Sequence, residues 1–94
     1  MSVLDAFRLD GKVAIVTGAG RGIGAAIART FGEVGARVVC VARTAEQVAA
    51  TAGAIEEAGG EAVGLPGDVT DPDTAERLVG AATERFGRLD IVVN

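Results

Sequence analysis

The chain has 94 residues, 49% of them hydrophobic but with no Trp or Tyr, which allows at most one small domain with an aliphatic core. Its formal net charge of −4 and the lack of any Lys or Arg run argue against binding of nucleic acid or an anionic membrane through a broad basic surface. No apolar stretch reaches the roughly 18 residues of a membrane span, and residues 1–5 show no secretory signal. Cys40 is the one cysteine of the sequence, so it has no disulfide partner within the chain. Together these features lead us to expect a cytoplasmic protein.

The first predicted elements are a strand and a helix joined by a glycine-rich segment. After a lead-in over residues 1–10, a turn at residues 9–12 precedes an apolar run over residues 12–17. Such runs are typical of strands buried on both faces of a parallel sheet. Residues 24–34 have the spacing of an amphipathic helix that ends at Gly35. The positions at helical spacing are Ile23, Ala26, Ile27, Thr30, Phe31 and Val34.

A second strand, a second helix and a third strand follow. Residues 37–42 form another apolar run, and residues 61–65 form a weaker one. Between them, Thr44 and Gln47 match a capping box at the start of a helix, which the glycine pair at residues 59–60 ends. The apolar positions along one face of that helix are Val48, Ala52 and Ile55.

A third helix and a fourth strand complete the alternation. Asp71 as N-cap and Pro72 at the first helical position start the helix, and Gly87 stops it. Residues 89–93 form the last strand. The predicted apolar stripe of the helix contains Ala75, Leu78, Val79, Ala82 and Phe86.

The order β-α-β-α-β-α-β predicts parallel strands with right-handed crossovers, which is a doubly wound α/β sheet of Rossmann type. The last predicted strand contains the apolar run Ile91–Val93. An apolar strand at the edge of a sheet is normally covered by further chain. We therefore expect residues 1–94 to be the N-terminal part of a single domain that continues in a longer polypeptide.

Four glycines lie between the first strand and the first helix, in the segment TGAGRGIG at residues 17–24. Gly18 is expected to permit a tight turn, Gly22 a close approach of pyrophosphate, and Gly24 close packing of the helix on the sheet. The helix start adds unpaired N–H groups and the positive end of the helix dipole. This context favours a site for a dinucleotide or another phosphorylated ligand over a glycine-rich turn without a ligand. We expect the Thr17 hydroxyl to tie the turn rather than to touch the ligand.

The end of the second strand bears on which dinucleotide binds. In such sheets an acidic residue about 20 residues after the glycines holds the ribose hydroxyls. Here Ala42 takes that place and Arg43 follows it. The guanidinium of Arg43, with Arg21 as a second cation, can pair with a 2′-phosphate. The pattern favours NADP(H) over NAD(H), and the alternative is that both arginines are solvated surface groups.

Polar residues also follow the later strands. Asp68 can accept a hydrogen bond from the exocyclic amine of adenine while Val69 covers the ring, or it can serve only as a turn residue. Asp90, at the start of the fourth strand, is typical of a structural acceptor, and Asn94 lies on the ligand side. Cys40 is expected to be a small buried hydrophobic residue, since the chain has no His to activate it. The sequence contains no cluster of metal-ligating residues.

Three of these segments together resemble the classical short-chain dehydrogenase/reductase family. Residues 17–24 match its Thr-Gly-x-x-x-Gly-x-Gly motif, Asp68 and Val69 match its adenine-contacting pair, and residues 89–94 resemble the approach to its Asn-Asn-Ala-Gly motif. The resemblance implies that Arg43 holds the 2′-phosphate, that Asp68 and Val69 contact adenine, and that Asn94 supports the cofactor and the central sheet. The residues implied to line the pyrophosphate and ribose are Gly18, Gly20, Arg21, Gly22 and Ile23.

The resemblance also implies an activity. Family members transfer hydride between a nicotinamide and a ketone or secondary alcohol, and their catalytic residues are a Ser together with the Tyr and Lys of a Tyr-x-x-x-Lys arrangement. This chain has no Tyr, and its one Lys is Lys12, so we assign it no catalytic residue. We interpret it as the cofactor-binding half of an NADP(H)-dependent oxidoreductase; the alternative is an NADP(H)-binding or sensing module. Its lead-in and glycine motif look most like those of the 3-oxoacyl-carrier-protein reductase group, and family members are usually dimers or tetramers.

Overall fold

The computed structural model describes residues 8–94. Residues 1–7 lie outside the described residues; they include most of the predicted lead-in and residues 1–5, for which the sequence predicts no secretory signal. Within the described part of the chain, none of the helices has the length and apolar character needed to cross a membrane. The elements are β1 (Val13–Thr17), α1 (Gly22–Glu33), β2 (Arg37–Ala42), α2 (Ala45–Glu57), β3 (Glu61–Pro66), α3 (Pro72–Phe86) and β4 (Ile91–Val93).

The four strands form one parallel sheet in the order β3-β2-β1-β4. Alternate residues of the central strands face opposite sides of this sheet. Val16 and Cys40 pack with α1 and α2, whereas Ile15 and Val39 pack with α3. Helices thus cover both faces of the central strands, which explains why these strands are continuous apolar runs. The predicted doubly wound α/β fold is confirmed.

Helix α1 begins at Gly22, two residues earlier than predicted, and the face it buries matches the predicted face only in part. Its buried residues are Ala25 and Ala28, and a Cβ atom on Gly32 would lie 2.7 Å from Cγ2 of Ile55 in α2. The small side chains allow α1 to approach the sheet and α2 closely, so close packing decides the buried face more than hydrophobicity does. Of the predicted positions, Ile27 and Phe31 are partly buried and Val34 is buried, but Ile23, Ala26 and Thr30 are exposed.

The predicted limits of α3 are confirmed. Asp71 caps the helix by accepting a hydrogen bond from the backbone N–H of Asp73 at 2.9 Å, Pro72 occupies the first turn, and Gly87 ends it with φ of +81°. Its stripe is narrower than predicted: Leu78 and Ala82 are buried and Phe86 is partly buried, but Ala75 and Val79 are exposed.

The predicted capping box at the start of α2 is wrong in its hydrogen bonds. Thr44 is the N-cap residue, but its side chain makes no capping hydrogen bond. The side chain of Gln47 instead lies against the glycine-rich turn, since a Cβ atom on Gly20 would lie 2.9 Å from Gln47 Oε1. The spacing of Thr44 and Gln47 is that of a capping box, but the Gln47 side chain lies beside Gly20 in the glycine-rich turn.

Candidate functional site

A cleft of about 440 Å³ opens where β1, β2 and β3 end. In open α/β sheets, ligands bind at this edge, outside the carboxyl ends of the strands. Backbone hydrogen bonds hold its walls, from Ala19 N–H to Val41 O and from Gly67 N–H to Ala42 O, each at 2.9 Å. The lining residues are Gly18, Gly20, Arg21, Val41, Ala42, Arg43, Thr44, Gln47, Gly67 and Val69.

The glycine-rich turn forms one wall of the cleft. Gly18 and Gly22 have φ of +65° and +62°, a left-handed conformation that favours glycine. A Cβ atom on Gly24 would overlap the carbonyl oxygen of Gly18, so the fourth glycine of the segment lets α1 begin directly against the turn. Gly18 makes the predicted tight turn, whereas Gly24 brings α1 close to the turn and not, as predicted, to the sheet.

The start of α1 can accept an anion. Arg21 is the N-cap residue and makes no side-chain capping hydrogen bond, and the first turn carries no acidic residue. The first N–H groups of a helix have no partner within the helix, and they lie at the positive end of its dipole. The turn therefore offers backbone donors and one cation, Arg21, to a negatively charged group.

The opposite side of the cleft carries an ion pair. Arg43 Nη2 lies 3.5 Å from Asp68 Oδ1, and Thr70 donates to that same oxygen from its backbone N–H at 2.9 Å and from its hydroxyl at 2.7 Å. The hydrogen bonds from Thr70, together with the nearby Arg43, hold the pKa of Asp68 below its ordinary value. Asp68 is therefore a turn residue, as one prediction held, and also the partner of Arg43, which no prediction foresaw.

The hydroxyl of Thr17, at the end of β1, does not have the predicted role. The hydroxyl donates to Val93 O at 3.2 Å and lies 3.4 Å from Asn94 Oδ1. It therefore ties β1 to the end of β4 instead of tying the glycine turn. Asn94 lines a separate groove of about 170 Å³, which it shares with Thr17, Val69 and Val92.

The cleft gathers five of the nine predicted site residues, namely Gly18, Gly20, Arg21, Arg43 and Val69. Gly22 and Ile23 begin α1 beside the cleft, and the Ile23 side chain is 81% exposed. Asp68 does not line the cleft itself but forms an ion pair with Arg43, which does. Asn94 does not line the cleft.

Five lining residues were not among the predicted site residues: Val41 and Ala42 at the end of β2, and Thr44, Gln47 and Gly67. Thr44 and Gln47 were interpreted as a capping box, so their position just after the carboxyl end of β2 was not recognised as part of a ligand site. Their position within four residues of Arg43 was the signal that could have revealed them.

Two further predictions from the sequence are confirmed. Cys40 is fully buried, and burial raises the pKa of its thiol to about 11. Asp90 Oδ2 accepts from the backbone N–H of Val13 at 2.9 Å and from Arg88 at 2.8 Å, as a structural acceptor does. Over residues 8–94, no three His, Cys, Asp or Glu side chains are grouped to hold a metal ion.

Known proteins match the chain over nearly its whole length. The family model for short chain dehydrogenases matches residues 12–94. A versicolorin reductase of Emericella nidulans is 50% identical over 93 residues, which are 98% of this chain and 35% of that reductase. The chain thus spans about a third of the length of the curated relatives it matches.

Solved structures agree with this match. A hydroxysteroid dehydrogenase from Escherichia coli has a TM-score of 0.92 at 41% identity, over 96% of this chain and 38% of that one. A metagenomic short-chain oxidoreductase, solved in complex with NADP, has a TM-score of 0.82 at 45% identity, over 89% of this chain and 38% of that one. These likenesses agree with the Rossmann-type fold described above.

Proposed function

Since the chain belongs to the short-chain dehydrogenase family, we propose that it is the cofactor-binding half of an NADP(H)-dependent oxidoreductase that interconverts a ketone and a secondary alcohol by hydride transfer. The observation that carries this proposal is Arg43 at the rim of a glycine-walled cleft, with Ala42 where an acidic residue would hold the ribose hydroxyls. Two similarities support the proposal. The metagenomic relative was solved in complex with NADP, and the versicolorin reductase to which the chain is 50% identical is a reductase.

The glycine wall suits the pyrophosphate. Gly18, Gly20 and Gly22 carry no side chain that would keep a phosphate from the backbone, and the N–H groups at the start of α1 can donate to its oxygens. Arg21 adds a positive charge at the same place. In our proposal Ile23, which is exposed on the first turn of α1, contacts the cofactor as well.

The opposite wall suits the adenosine half. The Arg43 side chain is 74% exposed, and its guanidinium can form paired hydrogen bonds with a 2′-phosphate. The Val69 side chain is 55% exposed and can cover the adenine ring. The hydrogen bonds and ion pair described for Asp68 all involve Oδ1, which leaves Oδ2 to accept from the exocyclic amine. Asn94, held beside Thr17, would support the cofactor from the end of β4.

The remaining parts of the proposal concern the whole protein. A bound nicotinamide cofactor would supply or accept the hydride, and the residues named above would hold its pyrophosphate and adenosine parts. We assign no catalytic residue to residues 1–94, which we interpret as the N-terminal part of a single NAD(P)-binding domain. We propose a small carbonyl or alcohol substrate, a cytoplasmic location and a homo-oligomer, in keeping with the family resemblance.

Titration of the intact protein with NADPH and NADH tests the cofactor assignment. We expect NADPH to bind at least about tenfold more tightly, because a charge-assisted hydrogen bond contributes roughly 1.5–3 kcal/mol. Arg43→Ala should remove most of this preference and leave NADH binding nearly unchanged. Arg29→Ala, at an exposed position of α1 outside the cleft, is the matched control. Tighter binding of NADH by the unmodified protein would contradict the assignment.

A binding or sensing module is the second candidate, because the cleft by itself accounts for binding of a dinucleotide and not for turnover. Turnover separates the two functions. The oxidoreductase should oxidise NADPH in the presence of a suitable ketone from a panel, with loss of absorbance at the nicotinamide band. NADPH binding without oxidation across the whole panel would favour the module.

A further inference from the structure

We propose that Asp68 limits the preference of the cleft for a 2′-phosphorylated dinucleotide, because its carboxylate competes with the 2′-phosphate for the guanidinium of Arg43. This inference rests on the proposed function, which places the 2′-phosphate at Arg43. It adds a residue that determines cofactor specificity, 25 positions along the chain from the arginine.

The geometry makes the carboxylate the fixed partner of the pair. Thr70 holds Asp68 Oδ1 with two hydrogen bonds, at 2.9 Å from its backbone N–H and 2.7 Å from its hydroxyl. The Arg43 guanidinium has one described polar contact within residues 8–94, the 3.5 Å ion pair with that oxygen. A ligand in the cleft therefore meets an arginine already engaged by an anion that the protein holds in place.

Both partners can be reached from solvent, since the Arg43 side chain is 74% exposed and that of Asp68 is 46% exposed. A 2′-phosphate that binds Arg43 must either displace the carboxylate or share the guanidinium with it. Displacement loses the ion pair, and sharing places two anions on one cation. Either way the carboxylate weakens binding of the phosphorylated cofactor.

The effect is selective between the two cofactors. NADH carries a neutral 2′-hydroxyl, which does not compete for Arg43 and meets no like charge at Asp68. An adenine contact of Asp68, by contrast, is common to NADH and NADPH and would change both affinities by the same factor. The ratio of the dissociation constants for NADH and NADPH therefore reports competition for Arg43 and does not change with the adenine contact.

A double-mutant cycle in the intact protein tests the inference. Dissociation constants for NADPH and NADH are measured by calorimetry for the unmodified protein, Asp68→Asn, Arg43→Ala and the double variant. Because exposed ion pairs contribute at most about 1 kcal/mol, we expect Asp68→Asn to raise the preference for NADPH about two- to fivefold. We expect no such rise in the Arg43→Ala background, and a smaller rise at high salt.

The controls address charge and folding. Asp73→Asn removes one exposed carboxylate outside the cleft and should leave the preference unchanged. Asp68→Ser removes the same charge in another way and serves if Asp68→Asn does not fold, as judged by circular dichroism.

Three results would overturn the inference. They are an unchanged preference in Asp68→Asn, a reduced preference, and an equal rise in the Arg43→Ala background. Failure of the proposed function looks different, since the unmodified protein would then show no preference for NADPH, or Arg43→Ala would not lower that preference.

Discussion

A Cβ atom on Gly24 would overlap the carbonyl oxygen of Gly18, so substitution here must displace either the turn or α1. We expect Gly24→Ala to lower the free energy of unfolding by about 1–3 kcal/mol, the usual effect of overpacking. Urea unfolding followed by circular dichroism measures this change.

Gly53 provides the matched control for Gly24. It lies within α2, and a Cβ atom there would meet nothing within 4 Å. Gly53→Ala should stabilise the protein by about 0.4–1 kcal/mol, because alanine restricts the unfolded chain and suits a helix. Equal effects of the two substitutions would show that the contact between Gly24 and Gly18 is not close.

Single residues were predictable from sequence where their role is local. The spacing of Gly18 and Gly24 next to a strand indicated a tight turn and a close contact, and both are present, although the close contact is with the turn and not with the sheet. Gln47 was misinterpreted because its side chain lies against Gly20, a contact that no local pattern contains. The pairing of Arg43 with Asp68 was missed for the same reason, since it depends on β2 and β3 being neighbours.

The elements themselves followed from hydrophobic periodicity, but the faces they bury followed only in part. The sequence predicted an α1 face that includes Ile23 and Thr30, whereas the helix buries Ala25 and Ala28. A pattern of hydrophobic positions does not register that small residues permit closer packing. The exposed Ile23 instead stands beside the cleft, where our proposal gives it a contact with the cofactor.

The short strand β4 depends on a side chain that precedes it. Asp90 Oδ2 accepts from the Val13 N–H of β1, and Arg88 binds both carboxylate oxygens at 2.8 Å. The hydrogen bonds from Arg88 and then from Val13 lower the pKa of Asp90. A carboxyl group whose pKa is lower in the folded state stabilises the fold above its unfolded pKa, and that stabilisation is lost as pH falls through the folded pKa.

We therefore expect Asp90→Asn to lower the urea midpoint at neutral pH, with a difference from the unmodified protein that shrinks below about pH 4. Unfolding curves recorded across a pH series measure the difference. Glu84→Gln, at an exposed carboxylate of α3, should show no comparable loss. A deficit in Asp90→Asn that stays constant down to the lowest pH would mean that the charge of Asp90 does not anchor β4.

At the scale of the whole molecule, topology creates the cleft. The order β3-β2-β1-β4 brings the ends of three strands to one edge, so residues near positions 18, 43 and 69 meet although they are far apart in the chain. The alternation of strands and helices predicted a doubly wound parallel sheet with right-handed crossovers, but not this strand order. The side chains that line the cleft depend on packing between loops, which the alternation does not specify.

Because three separate loops build the cleft, a nucleotide that fits it should bind only the folded chain and stabilise it. At a concentration 100 times its dissociation constant, a ligand adds about 2.7 kcal/mol to the free energy of unfolding. We expect 2′,5′-ADP to raise the melting temperature more than 5′-AMP at equal concentration, since the two differ by the phosphate assigned to Arg43. Thermal denaturation with each nucleotide measures this, and the difference should vanish in Arg43→Ala and diminish at high salt. Equal shifts by the two nucleotides would mean that the cleft does not recognise the 2′-phosphate.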